Sequence, residues 1–544
     1  MRENANTAPT GIDAIRLQIM WSRLLAIVEE QAQILVRTAF SPTVREAGDL
    51  SAGIFDTQGR MLAQAVTGTP GHVNAMAASV GAFLNVFPID TLREGDVLVT
   101  NDPWLGTGHL NDFTVVTPTF REGACVALFA ATTHIADVGG LGFGPEGRQV
   151  FEEGLAIPIM RLFQGGALND SLVQILKANV RDPLAAEGDL YSLAACNEKG
   201  GARLISMMDE FGLSSLDVVA SMIIENSRAA MIEEIKAIPP GVFDNAMRID
   251  GYDEPVDLIC RVTISDDGVD VDFTGTSGVS PRGINVPLSY AQAYASFGVR
   301  CIIGNEIPNN AGSLSVVRVS APDGCILNPR RPAAVSARHA VGQMLPDVVF
   351  GCLKKAGLET PAEGTSCLFG PVFLGGEGSA PGASGAPFVI NPFYNGGTGA
   401  RLGKDGLSTT AFPSGVKITP TEINESTAPL IIWRKEYRPG SAGDGEFRGG
   451  FGQILEFSHA DNEPFVVSKM FDRIHHPPRG RDGGEPGLPG KVYLKNDDTL
   501  SGMGRSLIPA GGRLVIETPG GGGVGDPQRR SKSARARDAK NGLY

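Results

Sequence analysis

Apolar residues recur at helical spacing from Asp13 to about Thr38, at Ile15, Leu17, Met20, Leu24, Leu25, Ile27, Val28 and Ile34, with no glycine or proline among them. That period predicts a long amphipathic helix with Asp13 as N-cap and Ser41-Pro42 as its stop. Asp49-Leu-Ser-Ala-Gly-Ile-Phe-Asp56 alternates instead, which predicts a strand closed by the turn Asp56–Gly59. Further helices are predicted over Val73–Phe87, Ser214–Ile238, Tyr290–Ile303 and Ala337–Lys355, with Pro239-Pro240 ending the second of these. After Gly241 strands follow one another, at Ala246–Ile249, Leu258–Ile264 and Val269–Phe273, and later at Pro464–Lys469, Gly490–Lys495 and Leu514–Glu517. Residues 364–405 are dense in Gly, Ser and Pro and predict irregular, lid-like loops. The pattern divides the chain into an α+β region over 1–240, a mixed region with glycine-rich loops over 241–405 and a β-rich region over 406–528. A basic tail over 529–544 is expected to be disordered or to clamp a partner.

One hairpin stands out. Phe113–Phe120 and Cys125–Thr133 are two apolar runs joined by Arg121-Glu122-Gly123-Ala124. With Glu122 and Gly123 as the loop, Arg121 faces Ala124 and a constant register carries outward. It sets Asp112 opposite Thr133, with His134 one step beyond and His109 over the same end. A histidine at a strand end is equally at home as a hydrogen-bonded core residue. Here two of only seven histidines in the chain gather with an aspartate, and N and O donors with open positions suit a divalent ion. The N-terminal α+β part is therefore expected to be the metal-bearing one.

Composition narrows the function classes. The 544 residues carry 47 Lys and Arg against 60 Asp and Glu, and a net charge of −13 argues against nucleic-acid binding. Apolar residues at 42% and charged residues at 20% describe an ordinary globular chain with room for two to four substructures. The seven cysteines form no CxxC pair, so neither a zinc knuckle nor a disulfide framework is indicated. No secretory segment and no membrane-length apolar run is evident, and a cytoplasmic protein is expected.

The segments NDPWLGTGHLND and TTHIADVGG, with VDFTGTSG, IPNNAGS, EFRGGFG and TPGGGGVGDP, resemble the hydantoinase B family nearly end to end. That family includes beta subunits of ATP-dependent N-methylhydantoinases and caprolactamases and half of 5-oxoprolinase, with subunits of acetone and acetophenone carboxylases similar. The resemblance implies that His109, Asp112 and His134 bind a catalytic metal and that Asp49 completes the site; the N and O donors make zinc or manganese the expected ion. Asp49 lies in GDLSAG, where relatives more often have an aromatic residue after the aspartate. It also implies an actin-like, hydantoinase A-type partner that carries ATP-Mg and phosphorylates a cyclic amide or ketone, so a hetero-oligomer is expected.

Other residues keep two readings. His72 follows a turn-rich loop and either caps the next helix or orients substrate. Asp137 either receives an imidazole N–H of His134 or caps the turn before Gly139-Gly140. Glu152 and Glu153 form a solvated acidic turn, or, as the similar E-E-G-L segment of the family implies, Glu152 or Glu153 faces the site as acid, base or acceptor, with Glu153 the candidate. Asp102 shapes the turn after Asn101. GGGGVG at Gly520–Gly525 lacks the βαβ context of a dinucleotide loop, and GARLGK at Gly399–Lys404 misses phosphate-loop spacing by one residue. Arg448-Gly-Gly450 either holds an anion or makes a turn. Three functions follow: a cyclic-amide hydrolase subunit, a ketone carboxylase subunit, or a scaffold whose His and Asp residues are structural.

Overall fold

The structure, a computed structural model, describes residues 13–66, 69–495 and 499–543. The polar opening residues, Gly68 of the predicted turn and Tyr544 of the tail lie outside them. The fold is mixed α+β, as the pattern predicts, and the N-terminal part is the more helical.

Its first sheet contains β1 (Leu50–Phe55), β2 (Met61–Gln64), β3 (Val97–Thr100), β4 (Asp112–Arg121), β5 (Ala124–His134), β6 (Met160–Gln164) and β7 (Ala167–Leu168), in the order β2-β1-β5-β4-β3-β6-β7. The β4–β5 hairpin is its centre. Both faces are covered, which explains why β4 and β5 read as near-continuous apolar runs and why β1, expected to alternate, is buried at every position. On one face Ile54 and Phe129 pack with helix α1 (Ala14–Thr38) and with Leu204 and Met208. On the other, Phe55, Leu128 and Ala130 pack against Val73, Met76 and Phe83 of the helix Pro70–Val86. Asp13 caps α1 by accepting from Arg16 N at 2.7 Å, as predicted.

The turn at Glu122-Gly123 has both residues in the left-handed region, the geometry that a two-residue hairpin needs. The predicted register holds for Arg121–Ala124 and Phe120–Cys125 and then slips, since Thr119 pairs with Ala127. This bulge adds one residue to β5, so Asp112 faces His134 rather than Thr133.

A 29-residue helix, Pro183–Phe211, crosses β4 and β5 and breaks its own helical pattern with Gly188, Gly200 and Gly201. A Cβ at Gly200 would lie 2.6 Å from the Phe129 ring, and one at Gly201 would lie 2.7 Å from Thr119 Oγ1. The glycines let the helix lie directly on the sheet.

A second sheet, Gly241–Ile249, Val256–Ser265, Gly268–Asp272 and Val317–Ser320, carries the helices Leu288–Ile302 and Leu345–Lys355. The predicted helix Ala337–Lys355 is broken into His339–Gly342 and Leu345–Lys355. Two four-stranded sheets form the C-terminal part, and Phe373, Phe457 and Phe465 pack together between them. The basic tail is corrected: Lys532–Lys540 is a helix whose buried Asp538 bonds Arg448 and Arg530, tying it back to the chain.

The glycine-rich run is structural. A Cβ would stand 1.9 Å from Ser441 O at Gly520, 1.9 Å from Thr398 O at Gly521 and 2.1 Å from Asp444 O at Gly523. Backbone passes too close on every side for any side chain. Among the described residues no helix is long and apolar enough to cross a membrane.

Candidate metal centre

Asp112 opens β4, His134 closes β5, and His109 stands in the turn just before, so the hairpin alone delivers all three to one end. All three are buried, and one donor atom from each lies within 4.8 Å of the others. Asp112 Oδ1 is 2.6 Å from His109 Nε2 and 3.2 Å from His134 Nδ1.

The donor chemistry calls for a cation. His109 Nδ1 lies 3.0 Å from the carbonyl of Ser336, an acceptor, so that nitrogen carries the ring proton. Its Nε2 therefore turns a lone pair towards the Asp112 carboxylate unless the ring is charged. Burial, followed by the Arg338 guanidinium, drives the His109 imidazole down to about 3, so it stays neutral. A lone pair facing a carboxylate at this distance is repulsive unless a positive ion is shared between them. His134 Nε2 is likewise buried without a hydrogen-bond partner. The residues fit a divalent ion with N and O ligands.

Asp112 is braced from its other oxygen. Thr107 Oγ1 donates to Oδ2 at 2.6 Å, His72 Nε2 lies 2.9 Å away, and the Arg338 guanidinium pairs with the same atom. Burial alone would raise this carboxyl, but the groups around it, His72 and Arg338 among them, hold it well below its ordinary range. Arg338 is itself fixed by donation to Thr107 O at 2.6 Å and by the Tyr290 ring beneath it at 4.1 Å. His72 sits in the first turn of the helix Pro70–Val86 and points into the site rather than capping. Burial would lower its imidazole, but Asp112 and Asp49 outweigh that and the net shift is upward. Asp49 lies just before β1, accepts from Thr69 Oγ1 at 2.9 Å and stands 3.6 Å from His72 Nδ1. It borders the site without belonging to the tight three-residue cluster.

Two expected residues lie elsewhere. Asp137 does not reach an imidazole; it pairs with Arg181 and accepts from Gly139 N at 3.3 Å, the turn-capping role. Glu153 lies behind the cluster, accepting from Val335 N at 2.7 Å and Ser336 N at 2.8 Å, and so fixes the carbonyl that orients His109. Burial pushes its carboxyl up to about 8. Arg338, Thr107 and His339 were not legible as site residues. Arg338 arrives from more than two hundred residues away in sequence, and nothing local in SARHAVGQM marks it.

A cavity of about 30 Å³ opens onto the cluster, and its lining includes Asp49, His72, His134 and His339 together with Phe143, Leu368, Phe393 and Val416. Phe143 packs on the rings of His134 at 4.9 Å, His109 at 5.5 Å and His339 at 5.5 Å.

The chain matches the hydantoinase B/oxoprolinase family over residues 13–527. It is 30% identical to 5-oxoprolinase 1 of Arabidopsis thaliana, over 94% of this chain and 42% of that protein. It is 27% identical to a putative D-/L-hydantoinase subunit of Pseudomonas sp. (strain NS671), over 98% of this chain and 93% of that one. The chain thus spans about two fifths of the plant 5-oxoprolinase and nearly the whole of the bacterial hydantoinase polypeptide. In fold it is similar to the ATP-dependent caprolactamase from Pseudomonas jessenii, with a TM-score of 0.84 at 22% identity, covering 98% of this chain and 94% of that one. It is also similar to nucleotide-free acetone carboxylase, with a TM-score of 0.86 at 19% identity, covering 98% and 78%.

Proposed function

The chain belongs to the hydantoinase B/oxoprolinase family, and we propose that it is the metal-containing subunit of an ATP-dependent cyclic-amide hydrolase. A hydantoinase A-type partner subunit phosphorylates the amide oxygen of a hydantoin, 5-oxoproline or related lactam, and this chain opens the activated ring. The observation that carries the reading is the acceptor-only facing of His109 Nε2 and Asp112, which asks for a cation at the open end of the β4–β5 hairpin.

His109, Asp112 and His134 would hold the ion, with Asp49 at its border; zinc or manganese suits this donor set. Such an ion supplies Lewis acidity and lowers the pKa of water. The chain's own groups do the rest. Glu153 and Ser336 O fix the His109 tautomer, while Arg338 and Thr107 hold Asp112 in place. His72, with Nε2 2.9 Å from Asp112 and Nδ1 3.6 Å from Asp49, borders the cavity and is the group placed to hand a proton to the departing ring nitrogen. Amide resonance resists attack by water, which is why activation by phosphorylation is needed first.

The apolar lining residues Phe143, Leu368, Phe393 and Val416 support a second reading, a ketone carboxylase subunit, in which water is excluded and carbon dioxide is captured. One experiment separates them: phosphate release by the complex with its partner, over a panel of lactams, hydantoins and ketones, with and without bicarbonate. Ring opening without bicarbonate supports the hydrolase; ketone-dependent release that requires bicarbonate overturns it.

A further inference from the structure

The cavity at the cluster, about 30 Å³, has room for roughly one water molecule and none for a ring. The loop Gly139–Gly144 touches this cavity and a second one, and so forms a partition between them. Phe143 of this loop packs on the three imidazoles, while Leu141, two residues earlier, lines the second cavity, of about 690 Å³. That volume is typical of small-molecule sites. Gly139, Gly140 and Gly142 all have positive φ, so the partition is built from residues that adopt conformations other side chains avoid.

Two arginines stand where the outer cavity meets this loop. Arg181 donates to Gly140 O at 2.7 Å, and Arg505 donates to Leu141 O. The two guanidiniums converge on Gly142, where a Cβ would lie 3.6 Å from Arg505 and 3.8 Å from Arg181. Ser506 also lines this cavity; its hydroxyl accepts from the buried Lys469 Nζ at 2.6 Å, which leaves its own proton for another acceptor. Asp182 caps a helix, while Asp137 pairs with Arg181 and Glu146 lies 3.8 Å from Arg505, so a phosphoryl group would share each guanidinium with one carboxylate. Glu377 stands at the lining, and Leu374 and Phe388 supply apolar surface for a ring.

We propose that this outer chamber is the receiving site for a phosphorylated small molecule, held at its phosphoryl group by Arg181, Arg505 and Ser506, and that the loop Gly139–Gly144 is the partition it passes to reach the cluster. The proposal rests on the reading that a partner supplies a phosphorylated ring, and it names where this chain accepts it. Bidentate guanidinium contacts are the usual protein answer to phosphate.

The test uses the full chain and phenyl phosphate as the probe, followed by calorimetric titration. The wild type should bind one equivalent. Arg505→Gln and Ser506→Ala should each weaken binding, Arg505→Gln by roughly tenfold or more, the effect of losing a charge-assisted hydrogen bond. Leu507→Trp places bulk in the chamber from a half-exposed position that the fold tolerates, and should abolish binding. Metal content should be unchanged in all three, and His134→Ala should bind the probe like the wild type. A wild type that ignores phenyl phosphate, or variants that bind it unchanged, overturns the chamber. The metal reading fails separately, if His134→Ala keeps its ion.

Discussion

Asp112 and His134 are direct cross-strand partners, and they are so because a single bulge after Thr119 shifts the hairpin register by one. With unbroken pairing His134 would lie past the end of β4, with its side chain on the opposite face of the sheet from Asp112. The bulge turns both side chains to the same face. A local backbone irregularity far from the cluster thus assembles it.

Removing one imidazole should remove the ion and little else. His134→Ala is expected to drop bound zinc or manganese from about one equivalent to near zero while the circular dichroism spectrum and the thermal midpoint in chelator stay close to wild type. The ring is buried, its Nε2 has no hydrogen-bond partner and its Nδ1 makes one contact, to Asp112 at 3.2 Å, so the fold loses packing and that single contact. Metal analysis of the purified variant decides; a full equivalent of ion would remove His134 from the ligand set.

Much of this was legible in sequence, and the reasons differ by residue. The β4–β5 hairpin announces itself because two apolar runs flank a short glycine-bearing turn, and that local grammar is what short-range sequence encodes. The bulge was not legible, because Val126 looks like any other strand residue. Helix Pro183–Phe211 was hidden by glycines whose purpose is contact with Phe129 and Thr119, partners distant in sequence. Asp137 was misdirected for a similar reason: its carboxylate is taken by Arg181, which nothing near His134 reveals. Arg338 is the largest omission, since a cation that braces Asp112 from another part of the chain leaves no local pattern.

Glu153 should make stability depend on pH. Burial raises its carboxyl from 4.5 to about 8, so the folded state binds a proton that the unfolded chain releases above its ordinary pKa. The stabilisation tied to that proton is fully present below about pH 4.5 and is lost as pH rises through about 8. Glu153→Gln keeps an acceptor for Val335 N and Ser336 N and removes the charge. Denaturant unfolding should show the variant more stable than wild type at pH 8.5, by about 1–3 kcal/mol, with the difference vanishing near pH 5. Parallel curves across this range would place the Glu153 titration elsewhere.

The glycine run should matter to folding and not to nucleotide. Gly521→Ala would drive a methyl against Thr398 O at 1.9 Å, a backbone contact that cannot swing away. A loss of about 3 kcal/mol or more is expected. The isolated wild-type chain should show no heat of binding with ATP and magnesium, since its glycine-rich run is filled by its own backbone. A tight nucleotide site in the isolated chain would refute the division of labour between two subunits.

That division has a sharper consequence in the assembled enzyme. If the partner makes a phosphorylated ring and this chain consumes it, ATP hydrolysis and ring opening are separable by mutation. Asp112→Ala strips the carboxylate that faces both His109 and His134, and it also strands Arg338 in the interior. The variant should therefore be less stable by about 3 kcal/mol or more, the usual effect of leaving a buried charge unpaired, and the assay belongs well below its melting temperature. Assembled with its partner, it should retain substrate-dependent phosphate release, because the activated intermediate decays in water, while ring-opened product falls at least a hundredfold. Asp112→Asn, which keeps the shape and hydrogen bonds to Thr107 but not the charge, should show the same split with a smaller stability loss. Phosphate and product are followed together in one reaction. A strictly proportional fall of both would mean that this chain acts before phosphorylation, and an unchanged product rate would mean that Asp112 is a structural residue.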